Sequence, residues 1–238
     1  ADSYRFKVLE DASHATGASY RSRPVGGQYA DAVVFSFHAV KIVTTAEGGM
    51  VTTQDEQLAH RLRLLRTHGT SRDPDDMEHE PPGAWYYEQQ LLGFNYRMTE
   101  LQAALGTSQL SRMETMQARR QALAERYDAL LEALPLLRPA RVADRRSSFH
   151  LYVVEIDETR TAKWRGEVFQ RLRDQGIGVN VHYIPIHTQP FYARLGFRRG
   201  DFPASERYYD RALSLPLFPA LTDSQQDTVV AALAEALG

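Results

Sequence analysis

The chain has 238 residues, 43% of them apolar, with 28 basic against 30 acidic side chains. A net charge of −2 excludes a nucleic-acid binder working through bulk positive charge, and 24% charged residues exclude global disorder. The absence of cysteine removes disulfides, thiolate zinc sites, iron–sulfur clusters and cysteine nucleophiles, and it suits a reducing, cytoplasmic setting.

No apolar run approaches the roughly 18 residues of a membrane helix, so no membrane partner is expected. The polar start Asp2-Ser3-Tyr4-Arg5 predicts no leader, and the missing initiator methionine predicts a processed chain or a fragment. Residues 5–10 predict a strand ending at Asp11. Residues 16–31, with Gly17, Pro24, Gly26 and Gly27, predict loop and turn. Residues 32–37 predict a buried strand; Gly48-Gly49 then predicts a turn and residues 50–53 a short strand, a hairpin-like excursion. Residues 55–67 predict a helix with Leu58, Leu62 and Leu65 on one face. Asp73-Pro74-Asp75-Asp76 and Pro81-Pro82-Gly83 predict a long exposed loop over 70–90.

Thr99-Glu100-Leu101-Gln102 is a capping-box pattern that opens a helix. A long helix is predicted over 109–134, where Met113, Met116, Leu123, Tyr127, Leu130 and Leu134 form one apolar stripe. Pro135, Pro139 and the run Arg145-Arg146-Ser147-Ser148 mark a boundary. Beyond it the pattern predicts a strand over 149–156, a helix over 163–175, a strand over 177–183, and helices over 203–214 and 223–237. Thr222-Asp223-Ser224-Gln225 is a second capping box. The order is that of an α/β protein in two parts, divided around the long helix into 1–115 and 116–238.

Only three of the 28 basic residues are lysine: Lys7, Lys41 and Lys163. Arginine supplies positive charge but cannot lose its proton to become an amine nucleophile, so each lysine bears inspection. Lys7 and Lys163 lie in mixed polar contexts and read as surface charges. Lys41 follows the apolar run 32–40, where a lysine is poised for desolvation. A pyridoxal phosphate site requires a lysine amine for the aldehyde, an acid beside the pyridine nitrogen, and hydroxyl or N–H groups around the phosphate. Asp11, Ser36 and Lys41 supply these types at predicted strand ends, where α/β sheets bind ligands. Each also has an ordinary reading: Asp11 as a turn cap, Ser36 as a core hydroxyl, His14 and His38 as half-buried histidines.

Three linked blocks carry a family resemblance. The first is Glu10-Asp11-Ala12-Ser13-His14-Ala15 with Phe35–Lys41 and Thr44-Thr45-Ala46-Glu47-Gly48-Gly49. The second is Gly93-Phe94-Asn95-Tyr96-Arg97-Met98 followed by Glu100–Gly106, and the third is His182–His187 with Pro190-Phe191-Tyr192. Together they resemble the DegT/DnrJ/EryC1/StrS sugar aminotransferases, which are pyridoxal phosphate enzymes of fold type I (aspartate aminotransferase-like). Ser36–Gly49, Ser108-Gln109-Leu110, Ser148–Tyr152 and the His182 segment look closest to the UDP-4-keto-sugar C4 aminotransferases of pseudaminic acid synthesis.

The resemblance implies that 1–115 is the remainder of the cofactor-binding large domain, with part of its sheet, and that 116–238 is a linking helix and a smaller α+β C-terminal domain. It implies Lys41 as the catalytic, cofactor-bearing residue, Asp11 as partner of the pyridine nitrogen, His14 near the ring and Ser36 at the phosphate. Asn95 and Arg97 would reach into a neighbour's site across a homodimer, and His182, Tyr183 and His187 would lie near the sugar nucleotide. No metal is expected, because no carboxylate or cysteine stands at ligand spacing beside these histidines. The implied partners are a UDP-linked keto sugar and L-glutamate. The resemblance also implies that an N-terminal part of the family fold is missing from these residues, including a phosphate-holding segment and an aromatic that stacks on the ring. A second function class stays open: an inert remnant that associates through the Met113–Leu134 stripe.

Overall fold

The strand predicted before Asp11 is short: β1 is Leu9–Asp11, and an unpredicted ribbon, β2 (Ser19–Tyr20) and β3 (Arg23–Pro24), follows within the segment read as loop. These observations come from a computed structural model, which describes residues 1–27 and 29–238. The described residues fall into two units, 1–114 with 144–147, and 115–143 with 148–238.

In the first unit, β4 (Ala32–Ser36) lies between β1, which it joins in parallel, and β5 (Gly49–Thr52), which it joins antiparallel. Its Ala-Val-Val-Phe run suits that central place, and Val33 is fully buried. Gly49 is a strand residue opposite Ser36, so the hairpin's connection is the whole of 37–48, not Gly48-Gly49 alone. Next come α1 (Glu56–Leu65), capped by Asp55, and the short antiparallel pair β6 (Thr70–Ser71) and β7 (Glu88–Gln89). The stretch 70–90 is therefore a closed hairpin and not a structureless loop. Its organising group is the Glu88 carboxylate, which accepts hydrogen bonds from the Glu78 and His79 amides, Tyr86 Oη and Gln90 Nε2 and contacts His79 Nδ1. These contacts, the Glu78 amide foremost, hold its pKa at about 2.

α2 (Glu100–Leu110) begins at the predicted capping box, with Thr99 Oγ1 accepting from Gln102 N and Gln102 Oε1 accepting from Thr99 N. It ends at Ser111, and α3 (Met113–Leu130) is a separate helix, shorter at both ends than the predicted 109–134. Leu123 and Tyr127 are buried as the stripe requires, but Leu130 is exposed and Leu131 takes the buried place. The stripe's middle, Leu123 and Tyr127, is core. Gln117, Arg120 and Gln121 share the buried face. Arg120 Nη1 donates to the carbonyls of Phe149 and Leu217, and burial lowers its pKa.

The second unit holds β8 (Leu136–Leu137); β9 (Arg145–Arg146) belongs to the first unit, where it pairs with β2. β10 (Tyr152–Ile156) is the centre of the order β11-β10-β8. α4 (Arg165–Asp174), the single turn α5 (Pro190–Ala193) and α6 (Pro203–Arg211) follow, then β11 (Ala212–Leu215) and α7 (Asp223–Leu237). Two predictions fail here. Residues 177–183 form no strand and keep only the bridge Asn180↔Ser214. The helix predicted to reach 214 stops at Arg211, because Ala-Leu-Ser-Leu pairs antiparallel with β10 and is buried along its length. Leu123, Tyr127, Tyr152, Leu213 and Leu233 are fully buried in this unit's core. No described helix is long and apolar enough to cross a membrane.

Candidate functional site

The parallel pairing sets Asp11 opposite Val34, so the C-terminal ends of β1 and β4 lie at one sheet edge. Asp11 starts a turn in which Ser13 donates to its Oδ1 twice, from N at 3.0 Å and from Oγ at 2.6 Å. The hydroxyl bond is the largest of the effects that hold this carboxyl below its usual range, and His14 and Lys41 add to it through their charges.

Lys41 is presented by a loop closed at its base. Phe37 N donates to Gly48 O at 2.8 Å and Thr45 N donates to Phe37 O at 2.9 Å. Lys41 N donates to His38 O at 2.9 Å, fixing the turn that carries the side chain. Burial lowers the lysine's pKa, and the nearby Asp11 charge opposes this only partly. Ser36 ends β4, and its Oγ accepts weakly from His38 N at 3.4 Å. The structure thus brings Asp11, His14 and Lys41 within each other's fields beside Ser36.

Asn95 and Arg97 belong to the same unit and are exposed. Asn95 bridges to Thr67 at the end of α1, between the stacked rings of Phe94 and Tyr96 at 4.8 Å. Gly93 is required there, because a Cβ on it would lie 2.2 Å from Gly69 N. In the second unit, His182 Nδ1 lies 2.7 Å from Ser214 Oγ and its Nε2 3.4 Å from Asn180 Nδ2. Tyr183 is 60% exposed. His187 is 8% exposed and its Nε2 lies 2.7 Å from Glu206 Oε1, so this ring is held inside the unit.

Sequence reasoning missed several supporting residues. Ser13 sits two residues after Asp11, the spacing of an Asx turn, and that signal was available. Thr45, almost fully buried, donates to Glu47 O at 2.7 Å. A Cβ on Gly106 of α2 would lie 2.8 Å from its Cγ2. Glu206 and Ser214 act on histidines far along the chain, for which no local pattern exists.

An amine whose pKa burial lowers, a carboxylate held anionic and a hydroxyl at one sheet edge fit pyridoxal phosphate in kind: aldehyde, pyridine nitrogen and phosphate each have a matching group. The fold is that of the fold type I transferases, and these donors are of the kinds that a pyridoxal phosphate site needs. Residues 1–234 match the DegT/DnrJ/EryC1/StrS aminotransferase family, and the chain belongs to it. The chain is similar to the spore coat polysaccharide biosynthesis protein SpsC of Bacillus subtilis, 42% identical over 98% of this chain and 60% of that protein. Among solved structures it resembles Helicobacter pylori PseC, an aminotransferase involved in pseudaminic acid biosynthesis, with a TM-score of 0.88 and 30% identity over 99% of this chain and 61% of that one. It also resembles the sugar aminotransferase Spr1654 of Streptococcus pneumoniae in its PMP form, with a TM-score of 0.88 and 30% identity over 97% of this chain and 59% of that one. The chain thus spans about three-fifths of the length of the relatives it matches.

Proposed function

We propose that this chain supplies the catalytic lysine and the C-terminal domain of an aminotransferase that moves the amino group of L-glutamate to the 4-keto carbon of a UDP-linked 6-deoxy-N-acetylhexosamine. Glutamate leaves as 2-oxoglutarate, and the sugar carbonyl becomes an amine in bacterial, cytoplasmic nucleotide-sugar synthesis. The single observation that carries the reading is that Lys41, on the loop after β4, lies within electrostatic reach of Asp11 at the end of the neighbouring parallel strand.

Pyridoxal phosphate, when bound, supplies an electron sink for the carbanion formed at the amine-bearing carbon. Burial raises the fraction of Lys41 that is neutral at a given pH, so its Nζ would condense with the aldehyde, with loss of water, and would accept and return a proton. Asp11, kept anionic by Ser13, would hold a proton on the pyridine nitrogen. The Ser36 hydroxyl would bind the phosphate, and His14 would lie near the ring. In this reading residues 1–115 are the remainder of the large domain, and 116–238 are the linking helix and small domain.

Asn95 and Arg97 complete the site of a second copy in a homodimer. Their exposure supports this assignment. His182, Tyr183 and His187 mark the segment that borders the sugar nucleotide. The test is the visible absorption spectrum of the full-length protein mixed with pyridoxal phosphate, followed by borohydride reduction and peptide mapping. The expected adduct is on Lys41; an adduct confined to Lys7 or Lys163 would end the assignment.

A further inference from the structure

Of the three histidine-segment residues assigned to the sugar nucleotide, His187 is buried, and its partner is a second buried residue to which no role has been given. Glu206, in the first turn of α6, is 6% exposed. Its Oε1 accepts from His187 Nε2 at 2.7 Å, Gly200 N at 2.8 Å and Phe202 N at 3.3 Å, and its Oε2 accepts from Gly200 N at 2.9 Å. The His187 ring packs on Phe202 with centroids 4.7 Å apart. One carboxylate therefore ties together three points of the stretch 187–202. Burial alone would raise its pKa, but the Gly200, His187 and Phe202 contacts outweigh burial and keep the group anionic.

Ser214 does the same at the other end of the segment. It exchanges two backbone bonds with Asn180, at 2.8 and 3.3 Å, and its Oγ meets His182 Nδ1. Between these anchors Tyr183, Ile184 and Ile186 are exposed. A charged acceptor at Nε2 fixes that nitrogen of His187 as the donor, so the imidazole acts as a peg and not as a free ligand.

We infer that Glu206 and Ser214 are positioning residues: by pegging His187 and His182 they set the backbone of 182–187 so that Tyr183 and its exposed neighbours meet the sugar nucleotide. This rests on the proposed aminotransferase reading, but its test does not depend on that reading alone. In the full-length protein, Glu206→Ala should speed amide exchange at Gly200 and Phe202 by roughly tenfold or more, since each loses its charged acceptor. Glu206→Gln keeps one acceptor oxygen and should fall between Ala and wild type; it also serves if Ala fails to fold.

With pyridoxal phosphate loaded, both variants should raise KM for the UDP-keto sugar by about tenfold while the glutamate half-reaction, followed by the cofactor spectrum, stays within about twofold. Ser214→Ala should raise the same KM by a smaller factor, and Ser214→Thr should restore it. Unchanged exchange at 182–202 in Glu206→Ala would overturn the proposal, as would equal losses in both half-reactions. A wild-type protein that never reacts with glutamate would instead sink the aminotransferase reading, leaving the exchange result to judge the peg.

Discussion

The two units divide structure and chemistry unequally. The second holds a continuous core of Leu123, Tyr127, Tyr152, Val154, Leu213 and Leu233, drawn from helix and sheet alike. In the first, the buried apolar side chains among the described residues are Ala12, Ala32, Val33, Phe37, Ile42 and Val43, gathered about β4 and the loop that carries Lys41. The same unit leaves Leu9, Trp85, Leu92, Tyr96 and Leu101 largely exposed. A site built on a small local core depends on hydrogen-bonded turns, at Asp11–Ser13 and Phe37–Gly48, to hold geometry that packing holds elsewhere.

Several measurements would break or sharpen this contrast. The largest effect expected is on chemistry: Lys41→Ala in the full-length protein should abolish transamination, and substantial residual turnover would remove Lys41 from the mechanism. Next comes core stability. Leu233→Ala, at a fully buried position, should cost about 2–5 kcal/mol in a denaturant titration, whereas Leu92→Ala, 88% exposed in the first unit, should stay within about 0.5 kcal/mol for the isolated chain. Equal losses would show that Leu92 is covered after all. Asn95→Ala should weaken pyridoxal phosphate binding roughly five- to tenfold in the assembled enzyme. Unaltered affinity would count against the shared site.

Helix caps give a smaller effect and a direct comparison between units. Thr222→Ala and Thr99→Ala each remove half of a capping box, at about 1 kcal/mol of helix stability. The loss should appear in global unfolding for α7, whose Val229, Leu233 and Ala236 lie in the core, and as local fraying for α2, where Gly106 is the buried residue. The smallest effect concerns acid. Glu88 has its pKa lowered from 4.5 to about 2, so its hold on the 78–90 hairpin is complete above 4.5 and is lost as the pH falls toward 2. Amide shifts of Glu78 and His79 followed by NMR should titrate near 2 in wild type and lose that transition in Glu88→Gln; a midpoint near 4.5 would show the contacts are not formed.

Much of this was legible in the residues. The capping boxes at Thr99 and Thr222 announced α2 and α7 because a cap is a local transaction between residues three apart. The scarcity of lysine singled out Lys41, and its apolar run announced the desolvation that lowers its pKa. The hairpin at 70–90 was not legible, since its strands are two residues each and its organiser is one carboxylate reached from five groups.

Neighbours in the chain decide the capped helices, the β4 strand and the family to which the order of motifs belongs, and these were written in the sequence alone. Tertiary structure alone decided the rest. Ala212–Leu215 became a strand and not the end of a helix because β10 was there to pair with it. Leu131, just past the end of α3, and not Leu130, fills the core position because the core residues around it come from other segments. His187 became an inward peg because Glu206, 19 positions along the chain, turns its carboxylate to meet it. Each of these outcomes depends on a partner brought close only by folding, and no pattern within one segment encodes which partner that will be.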